Sequence, residues 1–115
     1  MDKRKRGTAY EVIATRYLEK QGLKILEVNY RIRQGEVDII ALDGDILVFI
    51  EVKYRKNTDF GQPWEAVSIT KQRRICRAAS HYCYQKHEDR QVRYDVISIC
   101  KEEIEWFKDA FYHQN

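Results

Sequence analysis

Chain-breaking residues are scarce: one proline, Pro63, and five glycines interrupt 115 residues. No repeat, linker or low-complexity segment can be read from so sparse a punctuation. No apolar run reaches the roughly 20 residues that a bilayer-crossing helix needs. The stretch Lys3-Arg-Lys-Arg6 has no apolar segment behind it, so no signal peptide is expected and a cytoplasmic location is. The three cysteines, Cys76, Cys83 and Cys100, cannot all pair, and none has zinc-type spacing with a histidine. They are expected to be buried thiols of a reducing compartment. An excess of one charge is also missing. Lys and Arg number 21 against 18 Asp and Glu, a net +3 that leans only mildly toward anionic partners. What is present is 43% hydrophobic and 12% aromatic residues, enough for one ordered domain under a densely ionic surface.

Periodicity divides the chain into a basic tip, 1–6, and a single domain, 7–115. Thr8 to Gln21 reads as a helix with Ala9, Val12, Ile13, Tyr17 and Leu18 at helical spacing, ended by Gly22. Thr8 with Glu11 fits a capping box at its start. Leu23 to Arg33 reads as a strand. Lys56 to Pro63 is a polar loop, expected to be the most mobile segment. Thr70 can cap a second helix running to about His87, with Ile75, Ala79, Tyr82 and Cys83 as its buried stripe. Val92 to Cys100 is a further strand and Ile104 to Phe107 a last short one. The α-β-β-β-α-β order predicts a mixed sheet, with the strand after the second helix parallel to its partner.

Between the first strand and the polar loop lies a hairpin: Glu36-Val-Asp38-Ile-Ile-Ala-Leu42, a turn at Asp43-Gly44, then Ile46-Leu-Val-Phe-Ile-Glu51-Val-Lys53-Tyr-Arg55. With Asp43-Gly44 as a type I′ loop, Asp38 faces Phe49 and Glu36 faces Glu51. Period-two alternation then sets Glu36, Asp38, Glu51 and Lys53 on one face, with Asp38 and Glu51 diagonal neighbours roughly 5.5–8 Å apart. Burying carboxylates inside apolar strands costs several kcal/mol unless they are paired or hold a metal. Two such groups beside an ammonium can hold a hard divalent cation and a water.

Gly35-Glu-Val-Asp38-Ile-Ile followed by Phe49-Ile-Glu51-Val-Lys53-Tyr-Arg55 resembles the PD-(D/E)xK motif of the restriction-endonuclease-like superfamily, with Val37 in place of the proline. Nearly the whole chain is similar to the YraN-type bacterial family, an uncharacterised group related in pattern to archaeal Holliday-junction resolvases. The similarity runs through Gly7 to Leu18, Asn29-Tyr-Arg31, Phe60-Gly61, Ala66-Val67, Lys71-Gln72-Arg73-Arg74 and Arg93-Tyr-Asp95-Val96. The resemblance implies an α/β fold with a restriction-endonuclease-like α-β-β-β-α-β core, its mixed central sheet flanked by helices. It also implies Mg²⁺ or Mn²⁺ held by Asp38, Glu51 and the backbone carbonyl of Val52. Lys53 would then position or deprotonate the attacking water or neutralise developing charge. Glu11 would complete the metal site, or else serve only the capping box. Glu36 is either an outer partner that orients the ligands or a solvated strand end. Gln72 either aims at the site from the start of the second helix or is an ordinary first-turn polar residue.

Arg31, Arg33, Arg55, Lys56, Lys71, Arg73, Arg74 and Arg77 flank the acidic hairpin in this order of elements, as a phosphate-binding cluster should. Tyr54 and Trp64 could stack on a base, although Trp64 beside Pro63 also suits a core anchor. The expected activity is metal-dependent DNA endonuclease chemistry on branched or structured DNA. The rival is a non-catalytic nucleic-acid-binding adaptor that keeps the nuclease fold. A chain this short contacts little DNA, so a branched substrate would suit a homodimer.

Overall fold

Three apolar-rich runs joined by tight turns fold back on one another as an antiparallel meander, and a helix then carries the chain to a fourth, parallel strand. The computed structural model describes residues 3–56 and 67–114, with side chains described from residue 9 onward. The elements are α1 (Lys3–Lys20), β1 (Lys24–Ile32), β2 (Gly35–Asp43), β3 (Ile46–Tyr54), α2 (Ile69–Lys86), β4 (Val92–Cys100) and β5 (Glu103–Phe107). They form one five-stranded sheet in the order β1-β2-β3-β4-β5. Only β3 and β4 are parallel, so the sheet is mixed as expected. The polar loop through Pro63 falls almost wholly outside the described residues, as does Trp64. No helix among the described residues is long and apolar enough to cross a membrane.

Each sheet face buries its own core. Val37, Ile40, Leu47, Phe49, Tyr94 and Val96 pack with Ile75, Ala79 and Tyr82 of α2. Ile39, Ala41, Val48, Ile50, Ile97 and Ile99 pack with Ala14 and Leu18 of α1. The sheet is therefore sandwiched between the two helices, the architecture predicted from the resemblance. Gly35 is the tightest point of this packing. A Cβ there would lie 2.0 Å from the Arg74 carbonyl oxygen, so β2 approaches the backbone of α2 as only glycine permits.

Several boundaries differ from the sequence expectation for identifiable reasons. Helix α1 begins at Lys3, because lysine and arginine are good helix formers and extend it through the basic run. Thr8 thus lies within the helix, and the capping-box role for Glu11 falls. Helix α2 is capped by Ser68, whose Oγ accepts the Lys71 amide at 3.1 Å, rather than by Thr70. The hairpin turn is Gly44-Asp45, since Asp43 pairs with Ile46. Only Gly44 has positive φ, +61°, which places glycine first in the turn as in type II′ instead of type I′. Asp43 stays in the strand, where its carboxylate binds Arg93 at 2.9 Å. Cys76 is buried as expected, but Cys83 and Cys100 are half-buried because they lie at the rim of α2 and the end of β4.

On β4 a second charged group is fully enclosed. Asp95 accepts Arg93 Nε and Nη2, Trp106 Nε1 and the Asp109 amide, each at 2.9 Å. This one carboxylate ties β4 to β5 and to the segment that follows it.

Candidate functional site

The sheet forks at Asp38. The β2–β3 ladder runs from Asp43↔Ile46 to Ile39↔Ile50 and goes no further. One more step would set Asp38 opposite Glu51; instead the Asp38 side chain enters the gap, and its Oδ2 accepts the Val52 amide at 2.8 Å. A strand residue turns its N–H and C=O to the same edge, so the Val52 carbonyl also opens onto the fork. Across the sheet, Asn29 of β1 adopts left-handed φ, +55°, a conformation asparagine tolerates. The face alternation of β2 slips at this point: Val37 and Ile40 join the α2 core while Ile39 joins the α1 core.

The predicted partners of Asp38 shift by two residues, and the slip in β2 puts Val37 on the α2 side that Glu36 also reaches. Asp38 and Glu51 come together, with their carboxyl groups within hydrogen-bond reach. Glu51 is 4% exposed. Burial, then the neighbouring Asp38, pushes its pKa far above the carboxylate range, against the pull of Lys71 and Lys53. Glu11 reaches Asp38 from α1. Burial first and the Asp38 charge second raise its pKa to about 7, opposed by Asn29 and Arg31. Its Oε2 is buried with no hydrogen-bond partner among the described residues. The three acids form a chain through Asp38; among the described residues, no three His, Cys, Asp or Glu side chains are gathered as a ready-made metal cage.

The cations divide into two groups. Lys71 sits inside the acidic cluster, its Nζ 3.0 Å from Glu36 Oε1 and 3.7 Å from Glu51 Oε2. Burial works against its charge, yet Glu51, Glu36 and Asp38 together outweigh that and raise its pKa. Arg74 Nε and Nη2 lie 2.9 and 2.7 Å from Glu36 Oε2. Glu36 is accordingly not a solvated strand end, and Lys71 links it to Glu51. It is an ion-pair hub for α2, and hydrogen bonding from Arg74, against some burial, holds its pKa at about 2. Arg31 lies close enough to draw on Glu11. Arg31, Arg33, Arg73 and Arg77 are exposed, and Arg55 and Lys53 are half-buried. The Gln72 side chain is buried, and its Nε2 donates to the Val67 carbonyl at 3.0 Å, which anchors the start of α2. Tyr54, 46% exposed, stacks on Tyr10 with ring centroids 4.6 Å apart.

Sequence reasoning missed Lys71 as a member of the acidic cluster. Its i, i+3 spacing to Arg74 opposite a strand glutamate was the available signal.

A family model described as Uncharacterised protein family UPF0102 matches residues 10–99. A UPF0102 protein of Lachnoclostridium phytofermentans is 46% identical over 113 residues, covering 96% of both chains. One from Dechloromonas aromatica is 45% identical over 106 residues, covering 92% of this chain and 88% of that one. Among solved structures, Archaeoglobus fulgidus Hjc, a Holliday junction resolvase, is similar with a TM-score of 0.57 at 19% identity, over 90% of this chain and 72% of its own. That likeness establishes the shared nuclease fold. With most of its length matched by the model and by relatives above 40% identity, this chain belongs to the UPF0102 family.

Proposed function

We propose that this protein is a metal-dependent endonuclease that hydrolyses DNA phosphodiester bonds, acting on branched or otherwise structured DNA. The observation that carries the reading is the chain of acids Glu11, Asp38 and Glu51 at the sheet fork, with one buried carboxyl oxygen of Glu11 left without a partner among the described residues. An unsatisfied buried polar atom costs about 1–3 kcal/mol, which a structural site has no reason to retain. The donors are hard oxygens, the set that suits Mg²⁺ or Mn²⁺. Asp38, Glu51 and the Val52 carbonyl would hold the ion, with Glu11 completing the set. Bound there, it would supply a more acidic attacking water and a polarised scissile phosphate.

The remaining work falls to the chain itself. Lys53, whose charge acts on Glu51, would stabilise charge developing on the phosphate or help position the water. Arg31, Arg33, Arg55, Arg73 and Arg77 would hold the DNA backbone in register. A homodimer would present two such sites to a branched substrate.

One observation favours the rival reading of a DNA-binding adaptor without catalysis. Lys71 already neutralises part of the acidic cluster through Glu36 and Glu51. Incubating the protein with linear, single-stranded, flapped and four-way DNA in Mg²⁺ or Mn²⁺ separates the two. The enzyme reading expects cleavage that Asp38→Asn abolishes while DNA binding persists. Binding without cleavage of any substrate hands the function to the adaptor, and cleavage that survives Asp38→Asn moves the active site elsewhere.

A further inference from the structure

Lys71 and Arg74 are organised on one carboxylate before any DNA arrives. They lie three residues apart on the face of α2 that Gly35 draws against β2, and both reach the same carboxylate. Each oxygen of Glu36 is taken: Oε1 by Lys71 Nζ at 3.0 Å, and Oε2 by Arg74 Nε at 2.9 Å and Nη2 at 2.7 Å. We infer that Glu36 is a built-in stand-in for a DNA phosphate, which holds Lys71 and Arg74 as a two-pronged clamp and yields them to a backbone phosphate when DNA binds. The inference rests on the DNA-binding part of the proposed function and deepens it.

Three properties support the exchange. A phosphate offers a guanidinium fork and an ammonium the same paired oxygens that a carboxylate does. The two cations keep a solvent-facing side, with side chains 28% and 38% exposed, so a phosphate can reach them without unpacking the core. Partly exposed ion pairs are worth little to stability, so trading one anion for another costs little, while the side chains are already ordered. The clamp also adjoins the acids. Lys71 Nζ is 3.7 Å from Glu51 Oε2, so the phosphate it captures would lie beside the fork.

The test is binding of a labelled four-way DNA and a labelled linear duplex in EDTA, followed across a salt series. Glu36→Gln should bind roughly three- to tenfold tighter than wild type, because the clamp no longer has to be released. Lys71→Met with Arg74→Met should bind more weakly and lower the log–log salt slope by up to about 1.8, two phosphate contacts' worth. In that double-variant background, adding Glu36→Gln should bring almost no gain. An unchanged affinity for Glu36→Gln overturns the exchange. So does a gain that persists without Lys71 and Arg74, which would mean only that a repelling charge had gone. Should Glu36→Gln fold poorly, the salt slope of the double variant decides alone, and an unchanged slope refutes the clamp. Absence of cleavage in metal would defeat the catalytic reading and leave these binding outcomes intact.

Discussion

Asp95 and Glu51 are buried acids on adjacent strands, one register step apart: Ile50 pairs with Asp95 and Glu51 with Val96. Their surroundings are opposite. Asp95 is fully enclosed and accepts four hydrogen bonds, two of them from a guanidinium. Glu51 is nearly as buried but faces another carboxyl, and its closest cation stands 3.7 Å away. An acid ringed by donors is architecture: its charge is matched, and it ties three segments together. An acid that faces an acid is a strain on the fold, and under the proposed function it is kept for the cation it would hold. Burial alone does not distinguish the two; the donor count does.

The largest effect should come from breaking this contrast on its structural side. Asp95→Asn leaves Arg93 with only Asp43 and weakens the bonds to Trp106 and Asp109, and it should destabilise by about 3–5 kcal/mol. Glu51→Gln should be neutral or slightly stabilising, because glutamine is neutral without the proton uptake that burying Glu51 requires. Denaturant melts of the two variants test the pair, and equal losses would erase the distinction. Next in size is Gly35→Ala, whose new methyl meets the Arg74 carbonyl oxygen at 2.0 Å. Forcing α2 away from β2 should cost about 1–3 kcal/mol and weaken DNA binding together, whereas a stable variant with intact binding would mean that the close approach is dispensable.

The smallest effects are in the pH dependence, and they sharpen the contrast by sign. Glu36, lowered from 4.5 to about 2, contributes stability that is present above 4.5 and lost as pH falls through about 2. Glu11, raised from 4.5 to about 7, runs the other way. Between those values the folded state holds a proton that the unfolded state has lost, so stability declines as pH rises. Glu51 extends that decline upward. Because a cation competes with these protons, thermal stabilisation by Mn²⁺ should grow from about pH 6 to about pH 8.5. A Mn²⁺ shift that is flat with pH, or absent, would argue that the raised acids are not ligands.

Local physics made most of the fold legible. Apolar, β-branched runs bounded by turn residues gave β1 to β4 within a residue or so at each end, and the helical stripe gave α2, because these patterns are set by neighbours in the chain. The misreadings arose where distant contacts overrode local rules. Asp43-Gly44 reads as a turn until Arg93, 50 residues on, holds Asp43 in the strand. Glu36 reads equally as an outer partner of the ligands or as a solvated strand end until Lys71 and Arg74, 35 and 38 residues away, close on it. Thr70 and Ser68 are both competent caps, and the choice between them is not local. The meeting of Asp38 with Glu51 was legible because a hairpin converts spacing into proximity, and a turn displaced by one residue moves each partner by only two.

The hydrogen bond from the Val52 amide to Asp38 makes the main chain of β3 an antenna. An amide that would ordinarily answer to a carbonyl of fixed partial charge answers here to a side chain whose charge can change. A cation held by the Asp38 carboxylate would alter the shielding and solvent exchange of that one N–H. Valine itself carries no ionisable group, so isotopic labelling of Val52 reads the fork from inside the sheet without changing its charge.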